Sequence, residues 1–115
     1  MLQSIYLKGK MTKRGDGLQI EYKSRGLKKV CTNAHEAEKK YGKKMTAKIH
    51  QRIDEITAAN SVEMLIQYKI GGCHILKGDR KKQYAMVLIQ PYRLVFEMNG
   101  SEIQIVRVIE IIDYH

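Results

Sequence analysis

The chain has 115 residues and a mass of 13.3 kDa, which is enough for one domain with a hydrophobic core and too little for two. Hydrophobic residues make up 43% of it, and no apolar run approaches the ~20 residues that cross a bilayer, so we expect a cytoplasmic protein with no membrane partner. The net charge of +9 lies mostly in residues 1–58, where fourteen Lys and Arg face six Asp and Glu. This excess favours a polyanionic partner, with nucleic acid ahead of an acidic protein or anionic lipid.

The first part of the chain divides into a tail and a strand. Residues 1–17 are polar, glycine-spaced and without a period, which predicts a flexible basic N-terminal extension before a folded domain over residues 18–115. Residues 18–22 alternate apolar and polar side chains, as a half-buried strand does.

Two helices are predicted next. Asn33 and Glu36 form a capping box for the first helix, which Gly42 ends. The second covers residues 43–59, with an apolar core stripe on one side and charged residues on the other faces. The stripe is Met45, Ile49, Ile53 and Ile56, and the charged residues are Lys44, Lys48, Arg52 and Glu55. Asn60 stops this helix, and Ser61 caps a further turn.

The last third of the chain predicts a three-strand antiparallel meander. Residues 84–89 are apolar on both faces, as in a covered sheet, and residues 92–98 alternate so that Arg93 points away from the core. Asn99-Gly100 indicates a hairpin into a last strand over residues 102–112, where Arg107 interrupts the apolar pattern and a bulge near Val106 would restore it. The fold class is therefore α+β, with two helices on one face of an antiparallel sheet.

Polar side chains cluster in residues 71–83 and at the C-terminus. Cleaving a phosphodiester without a metal requires a base, cations that hold the phosphoryl oxygens, and an acid for the leaving oxygen. The histidines available are His74 and His115, the cations are Lys77, Arg80, Lys81, Lys82 and Arg93, and Asp113 and Tyr114 could orient or donate protons. Taken singly, each feature also fits a solvated turn or a frayed chain end.

Other chemistry has less support. Cys31 and Cys73 lack CxxC spacing and a neighbouring His pair, so we expect free thiols in a reduced compartment and neither a metal nor a cofactor. His35 and His50 are interpreted as helix-surface residues.

Three segments together resemble the HigB toxins, the plasmid maintenance killer branch of the RelE/ParE superfamily. They are His74-Ile-Leu-Lys-Gly-Asp-Arg80, Tyr92-Arg93-Leu-Val-Phe96 and Asp113-Tyr114-His115, and the resemblance runs from about Ile20 to His115. It implies a RelE-like two-layer fold and a metal-independent endoribonuclease that cuts mRNA on the ribosome. It also implies a small helix-turn-helix antitoxin, similar to HigA, through which alone the toxin would reach operator DNA.

The same resemblance implies roles for individual residues. The catalytic group would be His74, Arg93, Asp113, Tyr114 and His115, with His74 or His115 as the base. Phosphate would be bound by Lys77, Arg80, Lys81 and Lys82. Ribosomal RNA would be bound by the helix lysines Lys39, Lys40, Lys43, Lys44 and Lys48.

Two further functions remain open from the sequence. ParE-type relatives bind DNA gyrase without cleaving RNA, and a basic nucleic-acid-binding module would act through charge alone. For such a module, alanine at His74 and His115 leaves function intact and neutralising the helix lysines abolishes it, whereas a nuclease depends on both histidines.

Overall fold

The computed structural model of the protein describes residues 17–80, 82–100 and 104–113. The predicted extension up to Asp16, together with Lys81, Tyr114 and His115, lies outside them. In chain order the strands are β1 (Gln19–Tyr22), β2 (His74–Ile75), β3 (Gln83–Val87), β4 (Tyr92–Asn99) and β5 (Ile105–Asp113). The α-helices are α1 (Arg25–Thr32), α2 (Ala34–Ala58) and α3 (Val62–Gln67), and short 3-10 turns cover Ile70–Gly72 and Gly78–Arg80.

The five strands form one sheet in the order β1-β5-β4-β3-β2. The meander of β3, β4 and β5 is antiparallel as predicted, but β1 runs parallel to β5, so the sheet is mixed and the prediction of a wholly antiparallel sheet was wrong in this detail. Alternation in residues 18–22 specifies which face each side chain takes and says nothing about strand direction. The helices between β1 and the meander supply the long connection that a parallel pair needs.

Side-chain caps set the starts of the three helices. The side chains of Ser24, Asn33 and Ser61 accept hydrogen bonds from the backbone N–H groups of Leu27, Glu36 and Met64. Each bond satisfies a donor that has no partner inside the helix. The caps at Asn33 and Ser61 were predicted, whereas α1 was not.

Gly42 breaks α2 as predicted, with φ of +83° and ψ of 170° inside an otherwise helical run. Beyond the break, Met45, Ile49 and Ile56 are buried on the core side. Arg52 is buried with them, so its predicted place on a charged face was wrong. Positions 45, 49, 52 and 56 follow the i, i+4, i+7, i+11 spacing of a single helix face, which carries Arg52 inward.

The sheet has two unequal sides. Helix residues such as Ile49 and Leu65 pack against Leu94, Phe96 and Val108 in the main core. The other face, here called the open face, holds a small buried cluster of Leu76, Ala85 and Val95. This arrangement is the two-layer α+β fold that the sequence predicted.

A bulge in β5 changes which residues reach the open face. Val95 lies opposite Glu110 and Phe96 lies opposite Val108, so Ile109 has no partner in β4. The bulge was predicted near Val106 and is instead at Ile109. Because the extra residue shifts the alternation by one, Glu110 and Ile112 join the open face.

Candidate active site on the open face of the sheet

His74 begins β2 and is exposed. It lies opposite Ala85 of β3, and opposed residues of neighbouring strands point to the same face, so His74 is on the open face. Its Nδ1 lies 2.9 Å from the carbonyl oxygen of Gly72. A carbonyl only accepts hydrogen bonds, so Nδ1 carries the proton of the neutral ring, and Nε2 is left as the proton acceptor. His74 therefore presents a basic nitrogen on the surface.

Arg93 lies on the same face. It is opposite Val87 of β3 and Ile112 of β5. It comes two residues before Val95 of the open-face cluster, so the two side chains point to the same face. Its Nη1 donates to Gln90 Oε1 at 3.1 Å and to its neighbour's carbonyl oxygen at 3.0 Å. His74 and Arg93 are two strands and two residues apart, which sets their Cα atoms roughly 12 Å from each other.

Arg80 reaches across this face from the 3-10 turn Gly78–Arg80. Its Nε donates to Gln83 Oε1 at 2.7 Å, and its Nη2 donates to the carboxylate of Glu110. Gln83 is in β3 and Glu110 is in β5, so the guanidinium crosses over the intervening strand. The predicted phosphate-binding arginine is thus on the site face and already in an ion pair.

Two other predicted cations of this loop, Lys77 and Lys82, are exposed. Lys77 follows β2, and Lys82 precedes β3, so both flank the turn that carries Arg80. The two lysines therefore place positive charge on both sides of the turn.

The strand pairing assigns Asp113 to the opposite face of the sheet from His74 and Arg93. Asp113 lies opposite Tyr92, whose ring packs edge-to-face on Tyr41 of α2 at 5.8 Å between centroids. The pairing puts Asp113 on the helix side of the sheet, at the strand end, while Arg93 is on the open face. The other two residues of the predicted C-terminal catalytic group lie outside the described residues.

The helix lysines form a separate surface. Lys40 places its Nζ 5.5 Å from the centroid of the Tyr41 ring, and Lys48 donates to Gln51 Oε1 at 3.1 Å. Lys44 is exposed on the same helix. Because α2 covers the face opposite the open face, these lysines and Arg93 are on different sides of the sheet. The predicted RNA-binding residues are thus split between two surfaces.

Sequence reasoning missed two residues of the site, Gln83 and Glu110. Both hold Arg80, and Glu110 reaches the open face only because the bulge lies at Ile109, a position that is set by the pairing of β5 with β4. His50, interpreted from sequence as a surface residue, is half-buried with its Nε2 3.1 Å from the carbonyl oxygen of Val30, and so links α2 to α1.

The two thiols are structural. Cys31 and Cys73 are buried and form no disulfide with each other. Burial raises the pKa of Cys31 to about 12 and that of Cys73 to about 11, so neither is a thiolate near neutral pH.

Within the described ranges, no group of three or more His, Cys, Asp and Glu is arranged to hold a metal ion. No helix in that part of the chain is long and apolar enough to cross a membrane.

Comparison with known proteins gives the fold a precedent. No protein-family model matches the chain, and no curated protein does. Among solved structures it is similar to a YoeB/ParE toxin from Agrobacterium tumefaciens, with a TM-score of 0.59 and 18% sequence identity over 85% of this chain and 99% of that one. The protein has the fold of that toxin. This confirms the α+β two-layer architecture predicted from sequence.

Proposed function

We propose that the protein is the toxin of a toxin–antitoxin pair and cleaves mRNA on the ribosome, as the resemblance to HigB toxins implies. The observation that carries the proposal is the placement of His74 and Arg93 on one face of the sheet. Arg80 lies on the same face, where it pairs with Glu110. The toxin-like fold supports it. A base and fixed cations on one surface are what metal-free phosphodiester cleavage requires.

In this mechanism the 2′-hydroxyl of the message attacks its own 3′-phosphate. His74 Nε2 accepts the hydroxyl proton as the new P–O2′ bond forms, and Arg93 neutralises the charge that grows on the phosphoryl oxygens. The P–O5′ bond breaks, and the leaving 5′-oxygen takes a proton from an acid, a role that we assign to Tyr114 or His115. The products are a 2′,3′-cyclic phosphate and a 5′-hydroxyl.

The partners follow from the same proposal. The lysines of α2, on the far side of the sheet, would bind ribosomal RNA through its phosphates while the open face holds the message. A helix-turn-helix antitoxin similar to HigA would silence the toxin in the cytoplasm and alone would contact operator DNA.

The test is controlled expression in growing cells, with primer extension on a reporter mRNA. We expect the wild type to arrest growth and to cut translated message in frame. His74→Ala, Arg93→Ala and His115→Ala should lose both effects, since each removes a group of the chemistry. His35→Ala is the matched control, because His35 is an exposed histidine on α2 away from the sheet, and it should behave as the wild type.

A second assay separates the alternatives. Purified toxin should cut the reporter with ribosomes present and leave naked message intact. If growth arrest persists in His74→Ala and Arg93→Ala and no message is cut, the nuclease proposal fails. Inhibition of DNA gyrase supercoiling would then identify a gyrase-binding toxin, and its absence a module that acts through charge.

A further inference from the structure

Glu110 has a position on the open face that the proposed chemistry leaves unexplained. The bulge at Ile109 turns its side chain to this face, opposite Val95 in the row that includes His74 and Ala85. An acidic side chain on a surface that binds RNA repels the substrate unless it has another task. Its carboxylate pairs with Arg80, one of the proposed phosphate-binding cations.

The bonds of Arg80 leave part of its guanidinium available. An arginine has five N–H donors in a planar fork. Gln83 takes the Nε donor and Glu110 takes one Nη2 donor, so within the described ranges both Nη1 donors and the second Nη2 donor carry no protein bond. The Arg80 side chain is 31% exposed, so solvent reaches part of it. An edge with two parallel N–H groups matches two oxygens of one phosphate.

Holding this arginine in place takes specific partners. Arg80 ends the three-residue turn Gly78–Arg80, where an unanchored arginine side chain would lose rotamer entropy on binding. The bonds to two different strands remove that freedom before the substrate arrives. Pre-organised donors are worth more in the transition state than donors that must be ordered during the reaction.

We propose that Glu110 is a positioning residue, assisted by Gln83, that fixes the guanidinium of Arg80 so that its free edge receives the phosphate of the cleaved RNA. The inference rests on the proposed function. It assigns Glu110 a role through Arg80 and none in direct contact with RNA.

The kinetic test compares Glu110→Ala with Glu110→Gln in the ribosome-dependent cleavage assay. The alanine variant should lower kcat by about tenfold to a hundredfold with a smaller change in KM, because a misplaced cation mainly weakens transition-state binding. The glutamine variant keeps an oxygen that accepts from Nη2 and should stay within about threefold of wild type. Gln83→Ala should show a smaller loss of the same kind, which keeps the test available if Glu110→Ala folds poorly.

A double-mutant cycle shows whether Glu110 acts through Arg80. Arg80→Ala and the double variant Arg80→Ala/Glu110→Ala should have the same kcat, since removing the anchor of an absent side chain changes nothing. Glu97→Ala is the matched control. Glu97 forms an ion pair with Arg107 on the same face, at 3.5 Å, and its loss should leave cleavage unchanged.

Three results from these variants would overturn the inference. One is tighter RNA binding by both Glu110 variants, which would make the carboxylate a competitor of phosphate. Another is additive losses in the double variant. The third is a Glu110→Ala protein that is less stable but cleaves with the wild-type kcat.

A second readout does not depend on cleavage. The Nε–H signal of Arg80 in an NMR spectrum should shift on titration with inorganic phosphate in the wild type, and it should be broadened and unresponsive in Glu110→Ala. If the wild type proves to be no nuclease, this pattern still supports the positioning of Arg80, and only the proposed function fails. A phosphate response that persists in Glu110→Ala, or one that is missing in the wild type, contradicts the inference.

Discussion

Arg52 of α2 donates a hydrogen bond from Nε to the carbonyl oxygen of Val87, at 2.7 Å, although the two residues are 35 positions apart. Its Nη1 donates to Glu55 at 2.9 Å, one turn along the same helix. Val87 ends β3, beside the strand that carries Arg93, so this buried arginine fixes the helix layer against the end of the sheet where the site begins.

Replacing Arg52 should therefore cost stability. Arg52→Ala leaves the Val87 carbonyl without its donor and Glu55 without its counter-charge. A hydrogen bond to a charged group contributes about 1.5–3 kcal/mol, so we expect a loss of that size in the free energy of unfolding measured in urea. Lys44→Ala, an exposed change on the same helix, should shift it by less than about 0.5 kcal/mol. Equal effects of the two changes would show that the buried bond contributes nothing.

Replacing two glycines by alanine should change the free energy of unfolding in opposite directions. Gly42 has φ of +83° and ψ of 170°, a region that only glycine occupies without strain, whereas Gly26 lies in α1 with ordinary helical geometry. A Cβ would meet no atom within 4 Å at either position, so backbone conformation alone decides the outcome. We expect Gly42→Ala to destabilise by about 1–3 kcal/mol and Gly26→Ala to stabilise by about 0.5–1 kcal/mol.

Urea denaturation followed by circular dichroism measures both changes. If Gly42→Ala is neutral, the break in α2 is not required and the helix can run straight through it. Each variant serves as the other's control, since the chemical change is the same.

Local signals explain what the sequence predicted correctly. The caps at Asn33 and Ser61 and the break at Gly42 depend on residues within one turn, and the sequence shows them directly. The face of Arg93 followed from alternation inside β4, which needs no knowledge of other strands.

Long-range pairing explains the features that the sequence did not predict. The bulge at Ile109 exists only relative to β4, and it decides that Glu110 rather than a hydrophobic residue reaches the open face. The burial of Arg52 depends on a carbonyl 35 residues away, and the side of Asp113 depends on its pairing with Tyr92. A periodic pattern contains none of these partners, so sequence reasoning could name the polar residues and could not say which of them meet.

Alkaline pH should destabilise the fold through its buried thiols. Burial raises the pKa of Cys31 from 9.0 to about 12 and that of Cys73 from 9.0 to about 11. Between pH 9 and 11 the unfolded chain has lost these protons and the folded protein keeps them, so the free energy of unfolding falls as pH rises through that window. Below pH 9 both states are protonated, and the thiols cause no change.

Urea titrations from pH 7 to pH 11 test this dependence. The double variant Cys31→Ala/Cys73→Ala should be less stable at every pH because it loses packing, but its stability should stay flat from pH 9 to 10. A remaining slope above pH 10 is expected from Tyr22, whose pKa burial raises from 10.0 to about 12. If the double variant keeps the full wild-type slope from pH 9, the thiols are not its source.

The separation of the α2 lysines from Arg93 predicts that binding and chemistry can be changed independently. Lys40→Gln/Lys44→Gln removes two cations from the helix side of the sheet and none from the open face. Each lost phosphate contact should reduce the slope of log affinity against log salt by about 1, so we expect weaker ribosome binding and a slope lower by about two. The positions of the cuts in the message should not change.

Ribosome pelleting at several salt concentrations gives the slope, and primer extension gives the cuts. Lys69→Gln is the control, because Lys69 is exposed in the turn after α3 and is not one of the helix lysines, so it should leave the slope unaltered. An unchanged slope in the double variant would mean that the helix lysines are an ordinary solvated surface. The cations of the open face would then have to supply the whole electrostatic attraction to the ribosome as well as the chemistry, and Lys77→Gln would lower affinity and cleavage together.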